Sequence, residues 1–285
     1  MRSLMTNLVD KKNEIHQLLL SQPIDIHVFN EVALRLQQMM NENSYRIEEA
    51  IKLVNEDTAL AAEMLKQANT TYNSGKALIT TIKSAIVRLG SQQVVNLAFT
   101  ASMANSKSDN PVINTHLKKL WHQCHTIAIT SAWLAAQIRY DNEILEIDAD
   151  EVYLAGLFHD IGKLYLLKSM DGLIKTGLLK IDQSEIDEIL EELNIQQGIK
   201  VMQHWNIPEI YLNSVGRHNT DNWKCGTNDY LVAAVRLSCK FHNYVGQGIE
   251  VTENSEIFEL VKDELSLLDL DDAAYVYGFV KAIDE

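Results

Sequence analysis

Three prolines and twelve glycines are few for 285 residues. A β-sandwich or an α/β fold needs denser turn punctuation, so the chain leans helical before any periodicity is read. Cysteine is scarce too: Cys124, Cys225 and Cys239 are widely spaced, odd in number and form no C-x-x-C pair. That excludes a disulfide framework and fits free thiols in a reducing cytosol. Positive charge is short, with 25 Lys and Arg against 39 Asp and Glu and a net charge of −14. Gripping a nucleic-acid backbone or an anionic membrane surface requires the opposite balance, so neither partner is expected. Long apolar runs are missing: no stretch approaches about 18 uncharged apolar residues, so no membrane span is predicted. The first twenty residues are broken by Asp10, Lys11, Lys12 and Glu14, which leaves no signal-peptide core. What the chain does have is 46% hydrophobic residues, enough for a substantial core and too many for a disordered chain.

Apolar residues recur at helical spacing almost everywhere. Helices are predicted over 3–20, ended by Pro23, and over 26–41, with Val28, Val32, Leu36 and Met39 in one stripe. A short one over 46–55 follows. Asp57 is placed to cap a helix through about 68, Thr80-Thr81 opens one that Gly90 stops, and Ser91 caps the next. The polar stretch 105–112, NSKSDNPV, is the best internal boundary. A long helix over about 114–139 comes after it. Asp148-x-x-Glu151 reads as a capping box ahead of the helix carrying His159, Ser184 opens an acidic helix, and Asn194-x-x-Gln197 reads as a second capping box. Pro208 begins a helix ending near His218, and 229–245 forms another before Gly246 and Gly248. Two shorter helices, about 255–264 and 271–283, finish the chain. No strand alternates over five or more residues. The expected fold is all-α with roughly a dozen helices.

Residues 156–167, GLFHDIGKLYLL, set His159 beside Asp160 among apolar residues. Divalent metals take neutral imidazole and ionised carboxylate ligands that converge from several elements. Neighbours on a regular helix diverge by about 100°, so both reach one ion only where a helix end is distorted. The plain alternative is a partly buried pair hydrogen-bonded to neighbouring helices. His122 and His125 share one helix face at i, i+3. Trp121, Cys124 and Ala128 mark the opposite stripe as core, so these two histidines read as half-exposed, and either replaces a missing ligand only if the helix is rotated. His204 reads as a partner of a helix C-terminus. His16, His27, His116 and His242 read as surface or interface residues, and the cysteines carry no nucleophile signature.

Five segments in order bear a resemblance: AIKLVNEDTALAAEMLKQAN at 50–69, ITTIKSAIVRLG at 79–90, LWHQCHTIAITSAWLA at 120–135, GLFHDIGK at 156–163 and QQGIKVMQHWNIPEIYLNSVGRHN at 196–219. GLFHDIGK resembles the signature of the HD superfamily of metal-dependent phosphohydrolases. The whole series, over about 22–245, is similar to HDOD domains, the regulatory branch related to that superfamily. The resemblance implies an HD-like helical core with an additional N-terminal helical subdomain. It divides the chain into an N-terminal helix at 1–21, an HDOD domain at 22–245 with lobes 22–105 and 113–245, and a C-terminal helical extension at 246–285.

The resemblance also implies a metal-ligand set, carried over position by position. His159 and Asp160 match it, and His218 matches a histidine near the end of the next helix. Gln123, Asn194 and Asn219 stand where histidines are expected. Arg236 falls nearest the closing aspartate. A permanently protonated guanidinium cannot ligate a cation. Arg236 is therefore expected to replace the lost ion and pair with Asp160, in a pocket with Gln123, Asn194, Asn219 and Lys163. No cofactor is expected; the alternative is a divalent metal loosely held by His159, Asp160 and His218. Three functions fit. The first is a non-catalytic bacterial signal-transduction protein that docks on a kinase, receiver or cyclic-di-GMP-related protein or answers a small ligand. The second is a phosphohydrolase acting on a nucleotide or cyclic dinucleotide, with Asp160 holding the metal. The third is a helical scaffold. A cytoplasmic location is expected, and spare helical surface at both ends suits a homodimer.

Overall fold

The computed structural model describes residues 14–22, 29–42, 46–70, 78–141, 147–220, 229–247, 255–268 and 270. Among these residues a helical stretch at 14–20 is followed by thirteen helices. Those before the polar stretch are α1 (Glu31–Asn41), α2 (Ile47–Glu56), α3 (Thr58–Ala68), α4 (Ile82–Leu89) and α5 (Ser91–Ala104). After it come α6 (Pro111–Asp141), α7 (Ala149–Phe158), α8 (Ile161–Lys175), α9 (Gln183–His204), α10 (Glu209–Arg217) and α11 (Tyr230–Gly246). Two short helices, α12 (Ile257–Leu260) and α13 (Lys262–Leu267), close the described chain. No strand occurs among the described residues, so the fold is all-α. Residues 3–13 of the first expected helix, and the helix expected over 271–283, lie outside them.

Local chemistry explains several of the helix starts. Asp57 accepts hydrogen bonds from the amides of Ala59 and Leu60, Thr81 from Ser84, and Asp148 from Asp150 and Glu151. Each such cap is worth about 1 kcal/mol. Two expectations are corrected. Gly90, at φ +82°, ends α4 and itself precedes α5, so Ser91 is a first-turn residue and not the cap. Helix α9 runs unbroken from Gln183 to His204, and its capping box is Asp182 with Glu185. Asn194 opens no helix. Buried Leu190, Leu193, Asn194, Gln197, Gly198 and Val201 keep the helical stripe running through it.

One core joins helices from before and after the polar stretch. Phe29 packs edge-on to Phe99 at 4.8 Å, Phe99 on Phe158 at 4.9 Å, and Phe158 on Tyr211 at 5.8 Å. Leu36, Val54, Met64 and Tyr165 lie in the same buried cluster. A second cluster gathers Leu134, Ile138, Val152 and Phe241 with Ile257 and Val261, so the C-terminal helices share a core with α6, α7 and α11. His116, expected at the surface or an interface, is buried between helices: its Nδ1 donates to the Val112 carbonyl at 2.8 Å, and its Nε2 lies 3.0 Å from Asp187 Oδ1, tying α6 to α9.

Two close approaches set the site. Gly156 lets α7 lie against α6, where a Cβ would stand 2.7 Å from Ala128 Cα. Gly162 lets α8 lie against α9, where a Cβ would stand 1.9 Å from the Asn194 carbonyl oxygen. Among the described residues no helix is long and apolar enough to cross a membrane.

Candidate functional site

His159 and Asp160 form the two-residue joint between α7 and α8. The helical path is interrupted there, so the two side chains turn to one side, which a regular helix would forbid. Both are buried, at 1% and 2% exposure. Asp160 Oδ1 accepts from Asn194 Nδ2 at 2.5 Å and faces His218 Nε2 at 3.4 Å. Its Oδ2 faces Lys163 Nζ at 3.1 Å and His159 Nε2 at 3.4 Å. An ionised carboxylate offers about four acceptor sites. Protein groups approach both oxygens.

The partners are themselves oriented. His159 Nδ1 donates to the Gly156 carbonyl at 2.7 Å, and His218 Nδ1 donates to the Val215 carbonyl at 3.0 Å. A carbonyl only accepts, so each Nδ1 carries the proton and each Nε2 is left to face Asp160. The rings meet edge to face at 5.1 Å. Asn194 is fixed by a second bond, accepting the Lys163 amide on its Oδ1 at 3.0 Å. Lys163 spans from Asp160 to Glu191 Oε1, 2.6 Å away on α9.

Burial alone would push the His159 imidazolium down, but Cys239 and Asp160 beside it override this and hold it well above the usual imidazole range. Burial would likewise push the Asp160 carboxyl up; His159, His218 and Lys163 hold it well below the usual carboxylate range. The depressed carboxyl stabilises the fold above the unfolded value of about 3.9, and that contribution is lost as pH falls toward the folded one. The raised imidazolium contributes fully below about 6.5 and loses its contribution as pH rises through its folded value. Both contributions are present between those limits. Melting temperature is therefore expected to fall below about pH 4, with a shallower acid limb in Asp160→Asn than in the wild type. An equal acid slope in the two proteins would contradict the geometry.

The cavity over this joint has a volume of about 230 Å³. Gln123, Asn194, Asn219 and Lys163 line it with His159, Asp160 and His218, so seven of the eight residues singled out in the sequence come together. Arg236 does not. Its Nε donates to Glu264 Oε1 at 2.7 Å and its Nη1 to the Arg217 carbonyl at 2.5 Å, so the expected pairing with Asp160 is not made. Helix α11 instead turns Cys239 and Asn243 toward the cavity, one and two turns further on. Lys163, not Arg236, pairs with Asp160. Nor is α6 rotated: Gln123 faces the cavity, while His125 stacks on Trp121 at 4.5 Å.

Sequence reasoning missed Glu191, Ile195, Cys239 and Asn243 on the cavity wall. Glu191, Asn194 and Ile195 stand at i, i+3, i+4 on one helix, as do Cys239 and Asn243 at i, i+4. That spacing was the available signal.

The residues present do not fit a catalytic divalent ion. The two imidazole Nε2 atoms lie nearest different oxygens of Asp160, each at 3.4 Å. Gln123 from α6, Asn194 from α9 and Asn219 after α10 are amides, poor ligands for such an ion. Among the described residues no group of three or more His, Cys, Asp or Glu side chains is placed to hold a metal.

The HDOD domain profile matches residues 26–220, which is most of the chain. The chain belongs to the HDOD domain family. A curated relative from Treponema pallidum (strain Nichols), itself uncharacterized, is 21% identical over 201 residues. That match takes in 68% of this HDOD chain but 38% of the relative's own length. A crystal structure from Shewanella amazonensis SB2B, provisionally described as a metal-dependent phosphohydrolase, superposes with a TM-score of 0.64 at 19% identity, covering 96% of this chain and all of that one. An HDOD domain protein of unknown function from Geobacter sulfurreducens gives 0.55 at 18% identity, covering 90% and 92%. A provisionally described signal transduction protein from Marinobacter aquaeolei VT8 gives 0.55 at 18% identity, covering 98% of this chain and 67% of that one. At these identities the likeness shows the fold.

Proposed function

We propose that this HDOD protein is a non-catalytic regulatory module, which works by binding a protein partner or a small ligand at the cavity over His159 and Asp160. One observation carries the reading: Asp160 is approached on both oxygens by Asn194, His218, Lys163 and His159. A carboxylate held by Asn194 and Lys163 and flanked by two imidazoles takes an incoming cation only at the expense of those contacts. Gln123, Asn194 and Asn219 supply hydrogen-bond donors and acceptors in place of imidazoles, and such groups recognise ligands. Partners in signalling, of the kinase, receiver or cyclic-di-GMP-related kind, are supported by the family and by the description of the Marinobacter aquaeolei relative. A cytoplasmic location is supported by the free thiols of Cys124 and Cys239.

The phosphohydrolase reading rests on the two Nε2 atoms that flank Asp160. Metal analysis after gentle purification separates the two, followed by turnover of bis(p-nitrophenyl) phosphate with manganese or nickel. The expected result is metal far below one equivalent and no turnover above an Asp160→Ala control. A full equivalent of metal, with turnover that Asp160→Ala abolishes, would establish an enzyme.

A further inference from the structure

The ion pairs of Lys163 are unequal. On one side its ammonium meets Asp160, buried at 2% exposure; on the other it meets Glu191, whose side chain is 66% exposed. An exposed carboxylate gains little from such a pair, because water and salt compete for both charges. The buried carboxylate gives up an ion pair far less readily, because water cannot replace the partner it loses. Glu191 is therefore the replaceable partner, and it stands at the mouth of a cavity of about 230 Å³.

We infer that the Lys163 ammonium is an anion subsite, closed in the free protein by the Glu191 carboxylate and opened when a small ligand's phosphate or carboxylate group displaces it. The exchange is one anion for another: a carboxylate leaves the charge of the cavity unchanged, and a phosphate group, carrying about −1.5 to −2 at neutral pH, makes it more negative. The incoming group gains a charge-assisted bond in a partly enclosed site, which Glu191 in open water does not. The remaining wall identifies the rest of the ligand. Gln123, Asn219 and Asn243 present amides that donate and accept, while Asn194 is already committed to Asp160 and the Lys163 amide. These suit an uncharged polar body bearing one anionic group. The cavity is smaller than the roughly 300–1,000 Å³ that encloses drug-sized ligands. A single metabolite-sized anion fits it, whereas a cyclic dinucleotide would have to leave most of its surface outside.

The inference rests on the binding-module reading and deepens it. Its test is anion titration of metal-free protein by calorimetry, with inorganic phosphate, acetate and a nucleoside 5′-monophosphate as separate probes. The three arms tell a bare phosphate, a carboxylate and a phosphoryl group on a larger body apart. Glu191→Gln, an exposed change that should leave the fold intact, is expected to tighten the best probe about five-fold, the weight of an exposed ion pair. Lys163→Met is expected to abolish binding, with circular dichroism to check its fold. Unchanged or weaker binding in Glu191→Gln, retained binding in Lys163→Met, or no binding of any probe to either Glu191→Gln or the wild type would overturn the inference. Failure here with no metal-dependent turnover leaves the non-catalytic reading standing; turnover would remove that reading instead.

Discussion

Gly162→Ala is expected to destabilise the protein by about 3 kcal/mol or more, although it adds one methyl group to a helix. In most helices the change would be favourable, because alanine restricts the unfolded chain and glycine does not. Here the new Cβ would meet the Asn194 carbonyl oxygen at 1.9 Å and the carbonyl carbon at 2.7 Å. These are backbone atoms in the middle of α9, so no rotamer change relieves the overlap. The helices must separate. Separation would pull Asn194 Nδ2 from Asp160 and Asn194 Oδ1 from the Lys163 amide, the two bonds that fix the floor of the cavity. Against a typical net stability of about 5–15 kcal/mol, such a loss is large. Gly172→Ala supplies the control within the same helix. Nothing lies within 4 Å of its Cβ position, and a gain of about 0.5–1 kcal/mol is expected. Urea unfolding of the two variants should move the midpoint in opposite directions. A neutral Gly162→Ala would mean that α8 and α9 do not pack as closely as described.

The sequence was most informative where local chemistry decides structure. Asp57, Thr81 and Asp148 cap the helices they were expected to cap, because a cap needs only amides two or three residues away. His159 and Asp160 could be placed at a helix end, and Gln123, Asn194, Asn219 and His218 around them, because the motifs come in a fixed order. What the sequence hid was orientation. Asn194 followed three residues later by Gln197 has the letters of a helix start, and only tertiary burial shows that its side chain serves Asp160 instead. The imagined break at Asn194 concealed the i, i+3, i+4 face that includes Glu191 and Ile195. Arg236 was placed in the right helix but one turn short of the residues that face the cavity, Cys239 and Asn243. Its actual partner is 28 residues further on, beyond anything local spacing can specify.

That partner makes the second large effect. Glu264 is fully buried, and its Oε1 accepts from Arg236 Nε at 2.7 Å and from Lys240 Nζ at 2.8 Å. Arg236 is itself buried and also holds the carbonyl of Arg217, next to His218 in the cavity wall. One guanidinium thus links the C-terminal helix α13 to the end of α10. Removing one member of a buried charge pair costs about 3–5 kcal/mol, because the other charge stays out of water without its partner. Glu264→Ala is expected to fall in that range, and to raise hydrogen exchange in 257–268 before the rest of the chain. Replacing the pair together with apolar residues avoids the stranded charge. The double variant Arg236→Met with Glu264→Leu should therefore cost less than the sum of its single changes, a coupling that a double-mutant cycle reads directly. Strict additivity would show that the two side chains act independently. The desolvation of Arg236 would then have to be met by the Arg217 carbonyl rather than by Glu264.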